Sequence, residues 1–171
     1  MTASPAISRQ LSCQCGQVRC EVIGAPIVAA ICYCTGCQEG ARRIEALVGA
    51  PQFREADGGT SLLTFRDDRF ACITGHDLLV GYKIAADSPT RRMVASCCNA
   101  ALFLKYEPGF WVSTYRARYN GADLPPVEMR NQIAHRQPGA PLPADVPAFQ
   151  GFPLRLFARL LQARFAMFVS V

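Results

Sequence analysis

The sequence contains little histidine, little lysine and no long apolar run. Two of its 171 residues are histidine, and the 18 basic residues are arginine apart from Lys83 and Lys105. No stretch reaches the ~18 apolar residues of a membrane span. Residues 1–10 also lack the apolar segment of a secretory signal. We therefore expect a cytoplasmic chain without a membrane span.

Basic runs interleaved with aromatic residues are absent too, and the formal net charge of +5 is modest. This composition argues against nucleic-acid binding. Half of the residues are hydrophobic, which is enough to bury a core and excludes global disorder. The composition suits one globular domain, or one domain with an appendage.

Short apolar segments separated by glycine, aspartate and proline predict a mainly β domain over residues 11–119, preceded by a loose arm over residues 1–10. A short helix is expected at about Gln38–Leu47. The predicted strands are Gln17–Ile23, Ile27–Tyr33, Ser61–Phe65, Phe70–Thr74, Leu78–Ile84, Arg92–Ser96, Ala101–Tyr106 and Phe110–Arg116.

After Tyr119 the composition changes. Residues 120–153 contain seven prolines, which predicts an extended linker or wrapping arm, with a short helix possible at Val127–Arg136. Pro153 then precedes an amphipathic helix over residues 154–171. Its wide apolar face needs a cover. Packing on its own domain, a homodimer through this helix and a membrane-surface role all remain open, the last being the least favoured.

Nine cysteines are the most informative feature of the chain. In a reducing compartment they indicate metal ligands or reactive thiols rather than disulfides. Seven fall in three short clusters. These are Cys13 and Cys15, then Cys32, Cys34 and Cys37, and finally Cys97 and Cys98. Cys20 and Cys72 each stand alone within an apolar strand and are interpreted as core residues.

The clusters predict two zinc ions. Cys32, Cys34 and Cys37 supply three thiolates, one short of a closed tetrahedron, which is the arrangement of a catalytic zinc. Cys13 and Cys15 supply two ligands, and Cys97 and Cys98 are the clustered residues that can complete that second, structural site. Glycines beside Cys15 and Cys37 allow the sharp bends that such spacings require.

The motifs Cys13-Gln14-Cys15-Gly16-Gln17-Val18-Arg19 and Cys32-Tyr33-Cys34-Thr35-Gly36-Cys37 resemble the GFA family, which is named for the glutathione-dependent formaldehyde-activating enzyme and also contains centromere protein V. The resemblance implies a β-tent fold, two zinc sites and a carbon–sulfur lyase acting on a glutathione–aldehyde adduct or the adduct of another small thiol. It also implies a catalytic role for Cys34, which would make way for the entering thiolate. Arg42 and Arg43 are the main candidates for binding glutathione carboxylates, with Arg91 and Arg92 as further ones.

The third family block is altered, which indicates a divergent branch. Aligning Cys98 on its second cysteine places Ala95 where the first belongs, so Cys97 must substitute. Neighbouring strand residues point to opposite faces, so either the chain turns there and both bind, or the site is incomplete.

Two other functions are compatible with the sequence. One is a non-catalytic, zinc-stabilised binding module. The other is a redox protein resembling methionine sulfoxide reductases, with Cys72 or Cys97 as its nucleophile. His76 and His135 have no ligand spacing to the cysteines and receive no role.

Overall fold

The computed structural model describes residues 7–121, 123–138 and 140–169, and its strands form two sheets. In chain order the elements are β1 (Ser8–Ser12), β2 (Arg19–Ile23), β3 (Val28–Cys32), α1 (Thr35–Glu45), β4 (Thr60–Arg66), β5 (Phe70–Thr74), β6 (Leu79–Tyr82), β7 (Thr90–Ala95), β8 (Ala100–Tyr106), β9 (Trp111–Tyr115), β10 (Met129–Asn131) and α2 (Leu154–Val169). The small sheet has the order β1-β2-β5, and the large sheet has the order β10-β3-β4-β9-β8-β7-β6.

This architecture confirms the mainly β, GFA-type fold class with a C-terminal helix. All eight predicted strands are present, with ends shifted by a few residues at most. Strand β2 shows why the strands could be predicted from the sequence. Cys20 and Val22 are buried while Arg19 and Ile23 are exposed, as expected for a strand with one face on the core. Helix α1 begins and ends slightly earlier than predicted.

The prediction of a loose arm over residues 1–10 is wrong for its described end. Ser8–Gln10 belong to β1, which pairs antiparallel with β2 in the register Ser8↔Ile23. The reason is the burial of Leu11 in the core, which holds the preceding residues against β2. Residues 1–6 lie outside the described part of the chain.

The short helix predicted at Val127–Arg136 is also wrong. Its centre is β10, which pairs parallel with β3, and a 3-10 turn follows over Ile133–His135. Met129 is fully buried beside Val28 and Ala30, and the burial of three successive residues, Met129–Asn131, favours a strand over a helix with one buried stripe. The proline-rich segment then returns alongside β10, where Arg130 N–H donates to Pro147 O and Phe149 N–H donates to Arg130 O.

The large sheet is covered on both faces. The small sheet packs on one face over a core that includes Leu11, Val22 and Phe65. Helix α1 packs on the other face, where Ala41 and Ile44 meet Tyr115. Because β3 runs through the large sheet with alternating faces, Cys32 at its end points to the side of α1.

Helix α2 has one face on the domain and one face in solvent. Leu156 packs against the cluster around Met129. On the opposite face an apolar stripe is exposed, consisting of Leu154, Phe157, Leu161, Phe165 and Phe168. Residues 170 and 171 of the predicted helix lie outside the described part of the chain. Among the described residues, no helix combines the length and apolarity that crossing a bilayer requires.

Candidate metal centres

The first cysteine cluster joins the two sheets. Cys13 and Cys15 lie in the loop between β1 and β2, and Cys97 and Cys98 lie in the turn between β7 and β8. All four sulfur atoms lie within 4.8 Å of one another. The structure therefore brings together the four residues predicted for the closed site, from positions more than 80 residues apart in the chain.

The sulfur spacing suits a tetrahedral ion. The Sγ–Sγ distance is 3.6 Å between Cys13 and Cys15, 3.8 Å between Cys13 and Cys97, and 3.3 Å between Cys15 and Cys97. Four sulfurs at a Zn–S distance of ~2.3 Å would lie about 3.8 Å apart. The backbone N–H of Val18 also donates to Cys13 Sγ at 3.2 Å, a contact that stabilises a thiolate.

Cys97 and Cys98 can both face this centre because they do not lie on a strand. Residues 96–99 form the turn that connects Ala95 to Ala100. Asn99 has a φ of 54°, and its side-chain amide donates to Val48 O at 3.0 Å. The turn removes the strand alternation that would have sent the two thiols to opposite faces. The substitution of Cys97 for the missing family cysteine is thus geometrically possible.

The second cluster lies at the junction of β3 and α1. Cys32 ends β3, Cys34 caps the N-terminus of α1, and Cys37 lies in the first helical turn. Their three sulfurs also lie within 4.8 Å of one another. Cys32 is buried, whereas Cys34 and Cys37 are half-buried. No further His, Cys, Asp or Glu joins this group in the described ranges, so the protein supplies three ligands.

Cys34 is the sulfur of this cluster that most readily carries negative charge. Hydrogen bonds from the side chains of Cys32 and Cys37 lower the pKa of Cys34 to about 3, with help from the Cys37 N–H and the charge of Arg92. The N–H contact is 3.3 Å long and belongs to the helix cap. The side-chain hydrogen bond with Cys34 in turn raises the pKa of Cys32 to about 12. Without metal the cluster therefore favours a single thiolate, located on Cys34.

Buried contacts fix the backbone between these cysteines. The hydroxyl of Tyr33 donates to Asp57 Oδ2 at 2.6 Å, and Arg130 Nη1 donates to the Tyr33 oxygen at 2.5 Å. Arg130 also pairs with Asp57 at 2.9 Å and with the half-exposed Asp145. Gln38 donates to the carbonyl of Tyr33 at 2.5 Å. The segment from Cys32 to Cys37 is thus held from both sides.

Arg92 lies beside the three cysteines. Its side chain crosses α1 at Gly40, and Nη2 donates to Gly36 O at 2.5 Å. Arg92 is 3% exposed, and its Nη1 has no hydrogen-bond partner among the described residues. A Cβ added to Gly36 would lie 3.5 Å from Arg92 Nη2 and 3.9 Å from Cys34 Sγ, so the guanidinium and this sulfur approach the same position.

Two unpaired polar atoms flank Cys32. In the large sheet Cys32 is in register with Asn131 on β10 and with Thr60 on β4, so the three side chains share a face. Both neighbours are buried, and Thr60 Oγ1 and Asn131 Oδ1 have no partner within the described chain. A metal-bound thiolate is a better acceptor than a thiol, and the unpaired Thr60 hydroxyl on the same face of the sheet is a hydrogen-bond donor. The surroundings therefore fit a thiolate-bound metal ion.

A cavity of about 510 Å³ lies at the other centre. Its wall includes Cys13, Cys15, Arg19 and Arg118. Arg118 is 4% exposed, donates through Nη2 to Gln52 O at 2.8 Å, and has a buried Nε without a partner among the residues described. Since four cysteines close that coordination shell, the cavity adds no open ligand position there.

The predicted glutathione-binding arginines are occupied elsewhere. Arg42 and Arg43 lie in the last turn of α1, and both pair with Glu39. Arg91 pairs with Glu107. Of the four candidates, Arg92 is the one placed at a cysteine cluster. Arg118, Thr60 and Asn131 were missed, because no local sequence pattern marks a residue whose role depends on distant strands.

The remaining predicted residues lie outside both clusters. Cys20 is fully buried, as expected for a core residue, and Cys72 opposite it on β5 is half-buried at the edge of the same core. His76 and His135 lie in exposed 3-10 turns, and neither joins a metal-ligating group in the part of the chain that the structure describes.

A two-sheet β fold with one group of four cysteines and one group of three defines a β-rich protein whose thiolates could hold metal ions. The family model described as glutathione-dependent formaldehyde-activating enzyme, GFA, matches residues 8–110. The chain belongs to this family. A solved structure of a Rhodobacter sphaeroides protein from structural genomics is similar, with a TM-score of 0.47 and 17% identity, covering 67% of this chain and 90% of the other. No curated protein matches the sequence.

Proposed function

We propose that this chain is a zinc-dependent carbon–sulfur lyase acting on the adduct of glutathione, or another small thiol, with an aldehyde. The observation that carries the proposal is the cluster of Cys32, Cys34 and Cys37, which offers three thiolates and leaves one position open. Family membership supports the thiol, and the ligand set supports zinc. In the proposed reaction the carbon–sulfur bond breaks, the hydroxyl proton is lost, the carbonyl forms, and the thiol leaves.

Zinc in this cluster would act as a Lewis acid for the carbonyl oxygen and would favour the thiolate form of the substrate sulfur. The protein's own part is to hold the three sulfurs and to exclude competing ligands. Cys34 is the proposed catalytic residue because it is half-buried and has a lowered pKa, whereas Cys32 is buried behind β3 and the pKa of Cys37 is raised by its hydrogen bonds to Cys32 and Cys34. We assign Cys34 the position that yields to the entering thiolate.

The proposed partners are small molecules. Arg42 and Arg43 would reach glutathione carboxylates if they release Glu39, which is exposed enough for such an exchange to cost little. The many free thiols suit a reducing compartment, for which we propose the cytoplasm. We propose a homodimer through α2, because its exposed stripe spans the helix, and we propose no nucleic-acid partner.

Metal analysis combined with one substitution tests the proposal. The reduced protein should contain two zinc ions, and Cys34→Ser should lose one of them without unfolding. Glutathione binding, measured by calorimetry, should weaken in Cys34→Ser and stay unchanged in the control Cys72→Ser, which lies outside both clusters. Exchange NMR of glutathione with formaldehyde should show faster adduct breakdown with the wild type. Glutathione binding that is insensitive to Cys34→Ser would refute the mechanism.

A non-catalytic binding module is the second candidate. The exposed stripe of α2 favours it, since an unpaired apolar face serves recognition rather than lyase chemistry. In that case both zinc ions would stay bound during thiol titration, and adduct exchange would not accelerate. The redox alternative loses one of its two candidate nucleophiles, because Cys97 lies inside the four-cysteine cluster, and Cys72 remains as the other.

A further inference from the structure

Among the residues that the structure describes, three arginines are buried, and they differ in the groups that neutralise their charge. Arg92, Arg118 and Arg130 are each no more than 4% exposed. Arg130 pairs with two carboxylates, Asp57 and Asp145. Across the described ranges, neither Arg92 nor Arg118 forms an ion pair with a carboxylate. A buried guanidinium without a counter-charge is strongly unfavourable, so each of these two needs an anion.

Each unpaired arginine lies beside one cysteine cluster. Arg92 donates to the carbonyl of Gly36, inside the segment that carries Cys34 and Cys37. Arg118 lines the same cavity wall as Cys13 and Cys15. Each also retains one buried nitrogen without a hydrogen-bond partner among the residues described, Nη1 in Arg92 and Nε in Arg118.

The nearby acidic residue does not supply the missing charge. Glu45 is the carboxylate that interacts with Arg118 at longer range. It already forms an ion pair with Arg54 at 2.6 Å and accepts the backbone N–H of Phe53. Cys98 and Cys13 favour the charged form of Arg118 more than Glu45 does, opposing the burial that lowers its pKa.

Thiolates bound to zinc would supply the charge. A Zn²⁺ ion with four thiolates carries a net charge of −2, and one with three thiolates carries −1. We propose that Arg118 and Arg92 are positioning residues that serve as the buried counter-charges of these two centres. The proposal rests on the zinc binding in the proposed function, but it does not depend on the lyase reaction.

The pairing has a different consequence at each centre. Arg118 reduces the net charge of the four-cysteine centre and so favours retention of its ion. Arg92 brings the three-cysteine centre to neutrality, so that an anionic fourth ligand, such as a thiolate, would leave the buried site with a net charge of −1 rather than −2. Arg92 thereby selects a thiolate over a neutral thiol.

Zinc affinity of methionine and lysine variants tests this inference. Affinity is measured by competition with a chromophoric chelator, and the two sites are assigned with Cys34→Ser. Arg118→Met should weaken zinc at the four-cysteine site, and Arg92→Met at the three-cysteine site, each by roughly 10- to 100-fold, as for other groups that support metal ligands. Arg118→Lys and Arg92→Lys, which keep the charge, should recover most of the loss. Arg66→Met is the control: it removes an arginine side chain that is 12% exposed from its ion pair with Asp68, outside both clusters, and should leave both zinc affinities within about threefold.

A role in charge and a role in packing predict opposite orders of zinc affinity for the methionine and lysine variants. If the arginines only fill space, methionine variants will bind zinc as well as or better than lysine variants, and the inference fails. It also fails if both methionine variants keep wild-type affinity. A wild type without zinc would refute the proposed function as well, whereas two ions that are insensitive to Arg92 and Arg118 would refute this inference alone.

Discussion

Gly40→Ala should displace Arg92 from the three-cysteine centre. An added Cβ at this position would lie 2.1 Å from Arg92 Nε and 2.7 Å from its Cδ and Cζ. Ordinary contacts between such atoms are ~3.5 Å or longer, so the side chain must move by more than 1 Å. Arg92 is buried and its guanidinium is bonded to Gly36 O, so a shift of this size breaks that bond.

The expected change in the unfolding free energy of Gly40→Ala follows from three effects. Overpacking costs ~1–3 kcal/mol, and losing a hydrogen bond made by a charged group costs ~1.5–3 kcal/mol. Alanine in place of a helical glycine returns up to ~1 kcal/mol. The zinc-loaded protein should therefore lose about 1.5–6 kcal/mol of unfolding free energy. Zinc at the three-cysteine site should weaken as in Arg92→Met.

Gly36→Ala is the matched control in the same helix. Its added Cβ would meet Arg92, Ile84 and Cys34 at 3.5–3.9 Å, which is ordinary contact. Its stability should stay equal or rise by up to ~1 kcal/mol. Urea denaturation and chelator competition measure both variants. A Gly40→Ala protein as stable as Gly36→Ala, with unchanged zinc affinity, would show that Arg92 is free to move and would refute this reasoning.

Three further predictions concern the Arg130–Asp57 ion pair, the Cys34 thiolate and helix α2. Asp57→Asn should cost about 2–4 kcal/mol in urea unfolding, because it leaves a buried guanidinium short of charge. Asp68→Asn, at an exposed pair, should change stability by less than ~1 kcal/mol, and equal effects would contradict the burial argument. In the metal-free protein at pH 6, iodoacetamide should modify Cys34 before the other cysteines of its cluster, since its lowered pKa keeps it a thiolate below the ordinary thiol range. Equal modification of all three at pH 6, detected by peptide mass, would reject that charge distribution. Phe157→Glu with Phe165→Glu should convert a dimer into a monomer in light scattering, because both side chains lie on the exposed stripe. A wild type that is monomeric at all concentrations would exclude the dimer.

The sequence was sufficient for most strands and for the composition of both clusters. The strands were predictable because burial alternates along them, as at Cys20 and Val22. The cysteines were predictable because C-x-C and C-x-x-C spacings can bring two thiolates onto the same metal ion. Whether both Cys97 and Cys98 face one centre was not predictable, because that depends on a turn whose conformation includes a positive φ at Asn99.

Contacts between residues that are distant in the chain could not be predicted from the sequence. Val127–Arg136 has local features of a helix, yet pairing with β3 decided its structure. Arg92 was one of two lesser candidates among four arginines in the sequence, and its distinct role arises from its position opposite Gly40. Arg118 had no local signal at all. Its environment combines Gln52 with Cys13 and Cys98 from two distant loops, so its neighbours in the sequence could not identify it.

The topology itself divides the roles of the two centres. The four-cysteine cluster joins the small sheet to a turn of the large sheet, across a separation of 82 residues. A metal ion there restricts the unfolded chain strongly, as any long cross-link does. The three-cysteine cluster spans Cys32–Cys37 at one strand–helix junction, which buried contacts of Tyr33 and Gln38 already hold. An ion at this second centre adds little further restriction of the chain. The fold can therefore tolerate ligand exchange at the second centre and not at the first, which is the division that the proposed lyase would require.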